Sequence, residues 1–298
     1  MVVLAIGKFE SIHRGHRALL GETVRRAKES GLASAVMVFE PHPFTVLGHS
    51  DYKPLFTQAE RLYLFEECEL EHVFTCPFDA EFAALSPAAF CKKLFCEYDA
   101  REIIVGEDYR FGQNREGTVE TLRNEAAKYG AGVFVFRVME ANGQGISTSL
   151  IRKLLAGNRL PEAAQLLGFP FFAIGTTEKG RQLGRTLGFP TLNFYPDDKK
   201  FLPADGVYAT RTFIRGVGLD SITNIGLRPT VSEPTGLAKK RSVETHILNM
   251  PLDFDLYGEF IKVEFLQFIR TERHFDSLDV LKNQIQEDIL QILRNFSS

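Results

Sequence analysis

The chain has 298 residues, long enough for one large or two ordinary domains with buried cores. It is 44% hydrophobic and 24% charged, with a net charge of −3, and neither half is strongly basic. That balance argues against bulk nucleic-acid binding, which leaves a basic excess or stripe, but it leaves room for a small phosphorylated ligand. No run of 18 apolar residues is present, so no membrane span is expected, and "MVVLAIG" is too short and lacks a basic flank for a secretory signal. Four cysteines (Cys68, Cys76, Cys91 and Cys96) lie in one segment without Cys-x-x-Cys spacing. They read as buried, reduced thiols and imply a reducing, cytoplasmic setting.

The first half alternates two rhythms. "VVLAIG" reads as a strand, followed by the helical "RGHRALLGETVRRAKES" that Gly31 ends. "ASAVMVFEP" is a strand stopped by Pro41. "FTQAERLYLFEEC" is a helix opened by Thr57, with Glu60 three residues on as a capping box. The strand "HVFTCPF", the helix "SPAAFCKKLFCEY", the strand "REIIVGED", the helix "TVETLRNEAAKYG" and the strand "GVFVFRV" continue the pattern. Such alternation predicts a mostly parallel sheet wrapped by helices, with ligands bound beyond the carboxyl ends of its strands. Gly7–His16, Glu40–Pro43 and Gly106–Gly112 all fall at such ends.

Two helices, "STSLIRKLLAGN" and "LPEAAQLLG", close this half near Gly168. After them, "FPFFAIG", "GVYATRTFI", "DSITNIG", "SVETHIL" and "FIKVEFLQFI" follow without intervening helices. That predicts an antiparallel barrel or sandwich, on which the terminal amphipathic helix "SLDVLKNQIQEDILQILRNF" packs. The expected boundary divides residues 1–168 from residues 169–298.

The stretch "GKFESIHRGH" sets His13 and His16 around Gly15, between a strand and a helix start. Gly15 lets backbone approach a ligand, and the helix offers free N–H groups and a positive dipole end. Two imidazoles beside those donors suit the phosphates of a nucleotide; a chance pattern and a metal site remain open, though no third ligand lies nearby. Ser147, Thr148 and Ser149 open a helix where hydroxyls can cap or hold a pyrophosphate, and Arg152 adds a cationic fork one turn later. No G-x-x-x-x-G-K-[ST] sequence is present, which excludes the P-loop way of holding ATP. In the second half, "GRQLGRTLGFPTLNF" places three glycines ahead of Thr191 and Asn193. A flexible loop approaching a phosphate fits the glycines. Thr191 and Asn193, two apart, point the same way and offer hard oxygens for Mg²⁺, or are two surface polar residues.

At these residues the chain resembles the bacterial bifunctional riboflavin kinase/FAD synthetases. "GKFESIHRGH", "FEPHP", "VGEDYRFG" and "ISTSLIR" resemble that family's nucleotidyltransferase motifs in order. "GRTLGFPTLN", "GVY", "NIGLRPT", "VETHIL", "LYG" and "IRTERHFDS" resemble riboflavin kinase over residues 171–298. The resemblance implies a Rossmann-like nucleotidyltransferase domain with a parallel sheet, then an antiparallel six-stranded kinase barrel with a terminal helix. It implies phosphorylation of riboflavin to FMN and adenylylation of FMN to FAD, with ATP as co-substrate and Mg²⁺ as cofactor; from charge and hydropathy no nucleic-acid or membrane partner is expected, and a monomer or weak homo-oligomer is expected. By the same match His13 and His16 act on phosphates, with Gly7, Phe9, Gly15, Ser147, Thr148 and Arg152 holding the nucleotide. His42, Asp108, Phe111 and Arg115 contact flavin or adenine. Gly180, Gly184 and Arg185 form the kinase phosphate loop, Thr191 and Asn193 hold the metal, Glu244 is the base and His246 is structural. Two further readings stay open: a kinase with a weakened adenylyltransferase, or a flavin-binding module without turnover. The family usually reads G-x-F-D-G-x-H-x-G-H. Here Glu10 and Ser11 replace Asp and Gly, so that Ser11 is expected to meet a conformation suited to glycine.

Overall fold

The computed structural model describes residues 1–48, 52–137, 140–141, 144–179, 183–229, 239–249 and 256–296. It divides into two compact units, Met1–Thr148 and Ser149–Ser298.

In the first unit the elements run β1 (Val2–Ile6), α1 (Arg14–Ser30), β2 (Ala33–Glu40), the single turn α2 (Pro43–Val46), α3 (Gln58–Glu66) and β3 (His72–Pro77). The single turn α4 (Ala80–Ala83), α5 (Pro87–Lys92, continued as a π-turn to Glu97), β4 (Ala100–Gly106), α6 (Val119–Ala127) and β5 (Gly132–Phe136) follow. A short ribbon, β6 (Glu140–Ala141) with β7 (Gln144–Gly145), comes last. Strands β1–β5 form one sheet in the order β3-β2-β1-β4-β5, every pair parallel. β1 is buried along its whole length, as a strand covered by helices on both faces must be. On one face Leu4, Met37, Ile103 and Val105 pack with Phe90, Leu94 and Leu122. The chain leaves β1 toward β2 on one side and β4 joins it on the other, so the order reverses between β1 and β4. In open parallel sheets that reversal opens a crevice at the carboxyl ends.

Local signals set the helices. Gly31 ends α1 in the left-handed conformation at φ 67°, and its N–H caps the last carbonyls. Thr57 and Glu60 form both halves of the expected capping box at α3. The cysteines divide: Cys76 and Cys91 are buried, Cys68 is half-buried, and Cys96, on the π-turn, is exposed rather than buried. All four are free, and burial pushes the Cys91 thiol up to about 12.

The second unit begins with α7 (Thr148–Ala156, whose first residue closes the first unit) and α8 (Leu160–Leu167). β8 (Phe172–Thr176), the short helix α9 (Leu183–Leu187), β9 (Leu192–Phe194), β10 (Gly206–Ile214), β11 (Val217–Pro229), β12 (Lys239–Ile247), β13 (Phe260–Arg270) and α10 (Leu278–Phe296) follow. The compact units thus divide earlier than residue 168, because α8 packs against β13. Six antiparallel strands run β8-β13-β10-β11-β12-β9. Just past β8, the Glu178 N–H donates to the Asn193 carbonyl at 2.7 Å and nearly closes the barrel. Phe194 lies so close to Gly175 that a Cβ there would sit 2.2 Å from its ring. α10 is pinned by a buried ion pair, Arg270 to Asp288 at 2.8 Å, and by the fully buried Ile292.

Inside the barrel five fully buried hydroxyls close a ring. Thr210 bonds Ser221 (2.8 Å) and Thr223 (2.7 Å), Thr212 bonds Ser221 (2.8 Å) and Thr245 (3.2 Å), and Thr223 bonds Thr245 (2.8 Å). A hydroxyl can donate once and accept, so each member gives to one neighbour and takes from the other. Removing one member strands its two neighbours, so Thr223→Val is expected to lower stability by about 1–3 kcal/mol in urea unfolding. Adding Thr210→Val should cost less than the sum of the two single changes, since both belong to one network.

Candidate active sites

The N-terminal site grows from the loop between β1 and α1. Phe9 and Ile12 hold φ of 41° and 42°, both are fully buried, and both belong to residue types for which this region is strained. The Phe9 ring packs edge-on to His16 and to Phe65, and lies about 3.1 Å from where a Gly7 Cβ would be. Gly7 therefore leaves room for Phe9. Ser11 is not among the left-handed positions, so the expected glycine conformation falls on its neighbours instead. Its hydroxyl is buried and lies 2.8 Å from that of Thr148, tying the signature loop to "ISTS". Glu10 turns inward, 5% exposed, and accepts the Leu55 N–H at 3.3 Å.

His13 caps α1. Its Nδ1 accepts the His16 N–H at 3.3 Å, so the neutral ring carries its proton on Nε2 as a donor. The two imidazoles stack, 3.8 Å between centroids and 10° apart in plane. Burial lowers the His13 pKa to about 4, and burial followed by His13's charge pushes His16 well below its ordinary value. The 17-residue helix behind them adds its positive end. The pair is thus two neutral hydrogen-bonding rings at a helix start beside the sheet's crevice.

The other expected contacts separate. His42 is buried, caps α2 by accepting the Phe44 N–H, and stacks on Tyr52. It follows the cis peptide Glu40–Pro41. Asp108 and Arg115 are exposed on the loop after β4, whose Asn114 and Arg115 both have positive φ. Phe111 departs from its expected contact with flavin or adenine. It is 6% exposed and packs in the core against Phe90 and Tyr109, and Gly117 is needed to admit its ring. Ser147 is exposed, while Arg152 lies on α7 in the second unit with its guanidinium over the Phe201 ring.

The C-terminal site lies on the outward face of the barrel. Asn193 of β9 stands in register with Glu244 of β12, which is itself in register with Asn224 of β11. Asn193 is 8% exposed, and its Oδ1 is buried with no hydrogen-bond partner among the described residues. That atom is an oxygen acceptor suited to a hard cation. Glu244 accepts from the Ser242 hydroxyl at 3.3 Å. His246 binds the Pro190 carbonyl at 2.8 Å through Nδ1 and meets Phe189 edge-on, fixing the approach to Thr191. Gly180 lies outside the described residues, and the glycine segment expected as a flexible loop contains α9, with Gly184 and Arg185 on it. Gly184 has a steric reason, since a Cβ there would meet the Phe189 carbonyl at 2.3 Å. Glu272 was not legible as a site residue. It accepts from Asn224 at 2.9 Å and fills the space that Gly226 leaves. Glu272 lies within "IRTERHFDS", but only the fold brings it beside Glu244's row.

The fold defines a two-unit protein, a parallel α/β unit followed by a six-stranded antiparallel barrel unit. The FAD synthetase family model matches residues 1–150 and the riboflavin kinase model matches residues 167–296. The bifunctional riboflavin kinase/FMN adenylyltransferase of Escherichia coli K12 is 37% identical over 97% of this chain and 90% of its own. That of Bacillus subtilis is 32% identical over 99% and 93%. The crystal structure of a macrolide-efflux protein from Streptococcus pneumoniae superposes with a TM-score of 0.85 at 29% identity, over 99% of this chain and 94% of that one. The chain belongs to the bifunctional riboflavin kinase/FMN adenylyltransferase family. Among the described residues no helix is long and apolar enough to cross a membrane.

His13 should stay neutral from pH 8 down to about 5, and an NMR titration of its ring should show a midpoint near 4. Because the folded value lies below the ordinary 6.5, the unfolded chain takes the proton first. Stability is therefore lost as pH falls through that window.

Proposed function

We propose that the chain converts riboflavin to FMN on its second unit and FMN to FAD on its first, using ATP in both. The observation that carries the reading is the stacked His13–His16 pair, set at a helix start beside the crevice where the parallel sheet reverses. A phosphate oxygen of FMN forms a bond to the α-phosphorus of ATP, and the bond from that phosphorus to the β-phosphate bridge breaks. Pyrophosphate leaves with the electron pair. The nucleophile is already ionised, so no base is needed, and positioning and charge stabilisation carry the rate. His13 donates from Nε2 to a phosphate oxygen, and the N–H groups of α1 with Ser147 and Thr148 complete the cradle.

On the second unit the nucleophile is an alcohol. Glu244 takes the proton of the riboflavin 5′-hydroxyl as that oxygen attacks the γ-phosphorus and ADP departs. Thr191 and Asn193 would hold Mg²⁺, for which the unpartnered, buried Oδ1 of Asn193 is a suitable ligand. The cation, when bound, offsets phosphate charge. Gly184 and Arg185 lie on the segment that approaches the nucleotide. His42, Asp108 and Arg115 line the flavin and adenine side of the first site. We take residues 1–168 and 169–298 as the functional domains, monomeric or weakly associated, without nucleic-acid or membrane partners. Four free cysteines support a reducing cytoplasmic setting.

A time course with riboflavin, ATP and Mg²⁺ should show FMN rising first and FAD after it. Absence of FAD and pyrophosphate from FMN plus ATP would leave a kinase alone. Riboflavin binding without ADP formation would leave a flavin-binding module. His16→Ala should lower FAD formation by about 100-fold or more and spare FMN formation. Glu244→Gln should do the reverse, by a factor on the order of 100 or more.

A further inference from the structure

Helix α3 carries a buried cation that neither proposed transfer step uses. The Arg61 side chain is 6% exposed. Its Nη2 donates to Glu40 at 2.5 Å, but its Nε–H and Nη1–H groups are shut from water and have no hydrogen-bond partner among the described residues. Burial lowers its pKa, while Glu40, Glu10 and Tyr52 lie close enough to act against that. An arginine stays protonated in proteins, so the charge remains. A buried charge with orphaned donors is among the more expensive features a fold can carry. A purely structural ion pair would spend those donors on the protein.

Position narrows what they await. Glu40 ends β2, and α3 follows the β2 loop, so Arg61 belongs to the β2 side of the carboxyl-end crevice. The stacked histidines and the Ser11–Thr148 contact belong to the loop after β1. In-line displacement at the α-phosphorus needs the nucleophile on the side away from the leaving pyrophosphate, hence a second anion site. His13 is neutral and offers hydrogen bonds without formal charge. A dianionic nucleophile approaching a polyanion needs a cation of its own.

We propose that Arg61 binds the phosphate of FMN and holds it for attack on ATP, with Glu40 fixing the guanidinium. This rests on the FAD-forming reading and names the residue that recognises its flavin substrate by phosphate rather than by ring.

The test is steady-state FAD formation by the full chain with FMN and ATP varied separately. Arg61→Lys keeps a charge but loses the guanidinium's donors, and should raise the KM for FMN by about tenfold or more with the KM for ATP within about twofold. Glu40→Gln, which frees the guanidinium to turn, should raise the KM for FMN by about threefold. Riboflavin phosphorylation by the same preparations should be unchanged. A wild-type chain that makes no FAD would sink the function itself. With FAD made normally, three results overturn Arg61's role. They are an unchanged KM for FMN, a change confined to ATP, and loss of the first unit's cooperative melting in Arg61→Lys, which marks a structural arginine.

Discussion

Three charged side chains are drawn inward at the carboxyl ends of β1 and β2, and the first unit is arranged around keeping them there. Glu10 and Arg61 are buried, and Glu40 is half-buried. No one of them could be held out of water alone. Glu10 takes a backbone N–H from Leu55, which draws the segment before α3 against the signature loop. Arg61 leaves α3 to meet Glu40, which ties α3 to the end of β2. The left-handed Phe9 and Ile12 are the backbone consequence: the loop must turn its side chains into the protein within a few residues. Glu10 thus does packing and charge-balancing work that its longer side chain can reach. Ser11 supplies a hydroxyl contact to Thr148 where a glycine would supply none.

The second unit keeps its polarity in two layers. Inside the barrel, hydroxyls satisfy one another in a closed ring and need neither water nor ligand. On the outward face of the same strands the polar groups are not self-sufficient. Asn193 retains an oxygen without a partner among the described residues, beside Glu244's strand. Strand alternation makes this division possible, since Thr245 faces in while Glu244 and His246 on either side of it face out. A self-contained interior lets the barrel hold its shape while the outer row stays open to chemistry.

Much of this was legible in the sequence where a local rule decides. Thr57 with Glu60 foretells a capping box, Gly31 a helix end, and the alternation of β-branched and polar residues in "GVYATRTFI" a strand. The histidines are legible too, because a helix start is a local object. What stayed hidden depends on partners far along the chain. Arg61 reads as one more polar residue on an amphipathic helix until β2 brings Glu40 to it. Phe111 sits in a motif that points to ligand, yet the strand pairing of Phe111 with Gly117 turns its ring into the core. Glu272 becomes a neighbour of the Glu244 row only through Asn224. The glycine segment hid α9, since Gly184 answers to the Phe189 carbonyl, a contact that spacing alone does not reveal.

The two units meet the same problem, transfer at a phosphorus of ATP, from opposite protonation states. FMN arrives ionised, so the first unit needs hydrogen bonds, a helix end and a cation, and the neutral His13–His16 pair proposed for it meets the first of these. A protonated His13 would lose the lone pair on Nδ1 that accepts the His16 N–H, and with it the cap of α1. Burial that lowers the His13 pKa to about 4 therefore keeps the cap of α1 intact at neutral pH. Riboflavin arrives as an alcohol, so the second unit needs a carboxylate with access to a proton, and Glu244, the residue proposed for that role, stands half-exposed on an outward strand face instead of inside the barrel. On the proposed assignment the nucleophile's chemistry matches the burial: buried neutral imidazoles face a phosphate that is already ionised, and a half-exposed carboxylate faces an alcohol that must lose its proton.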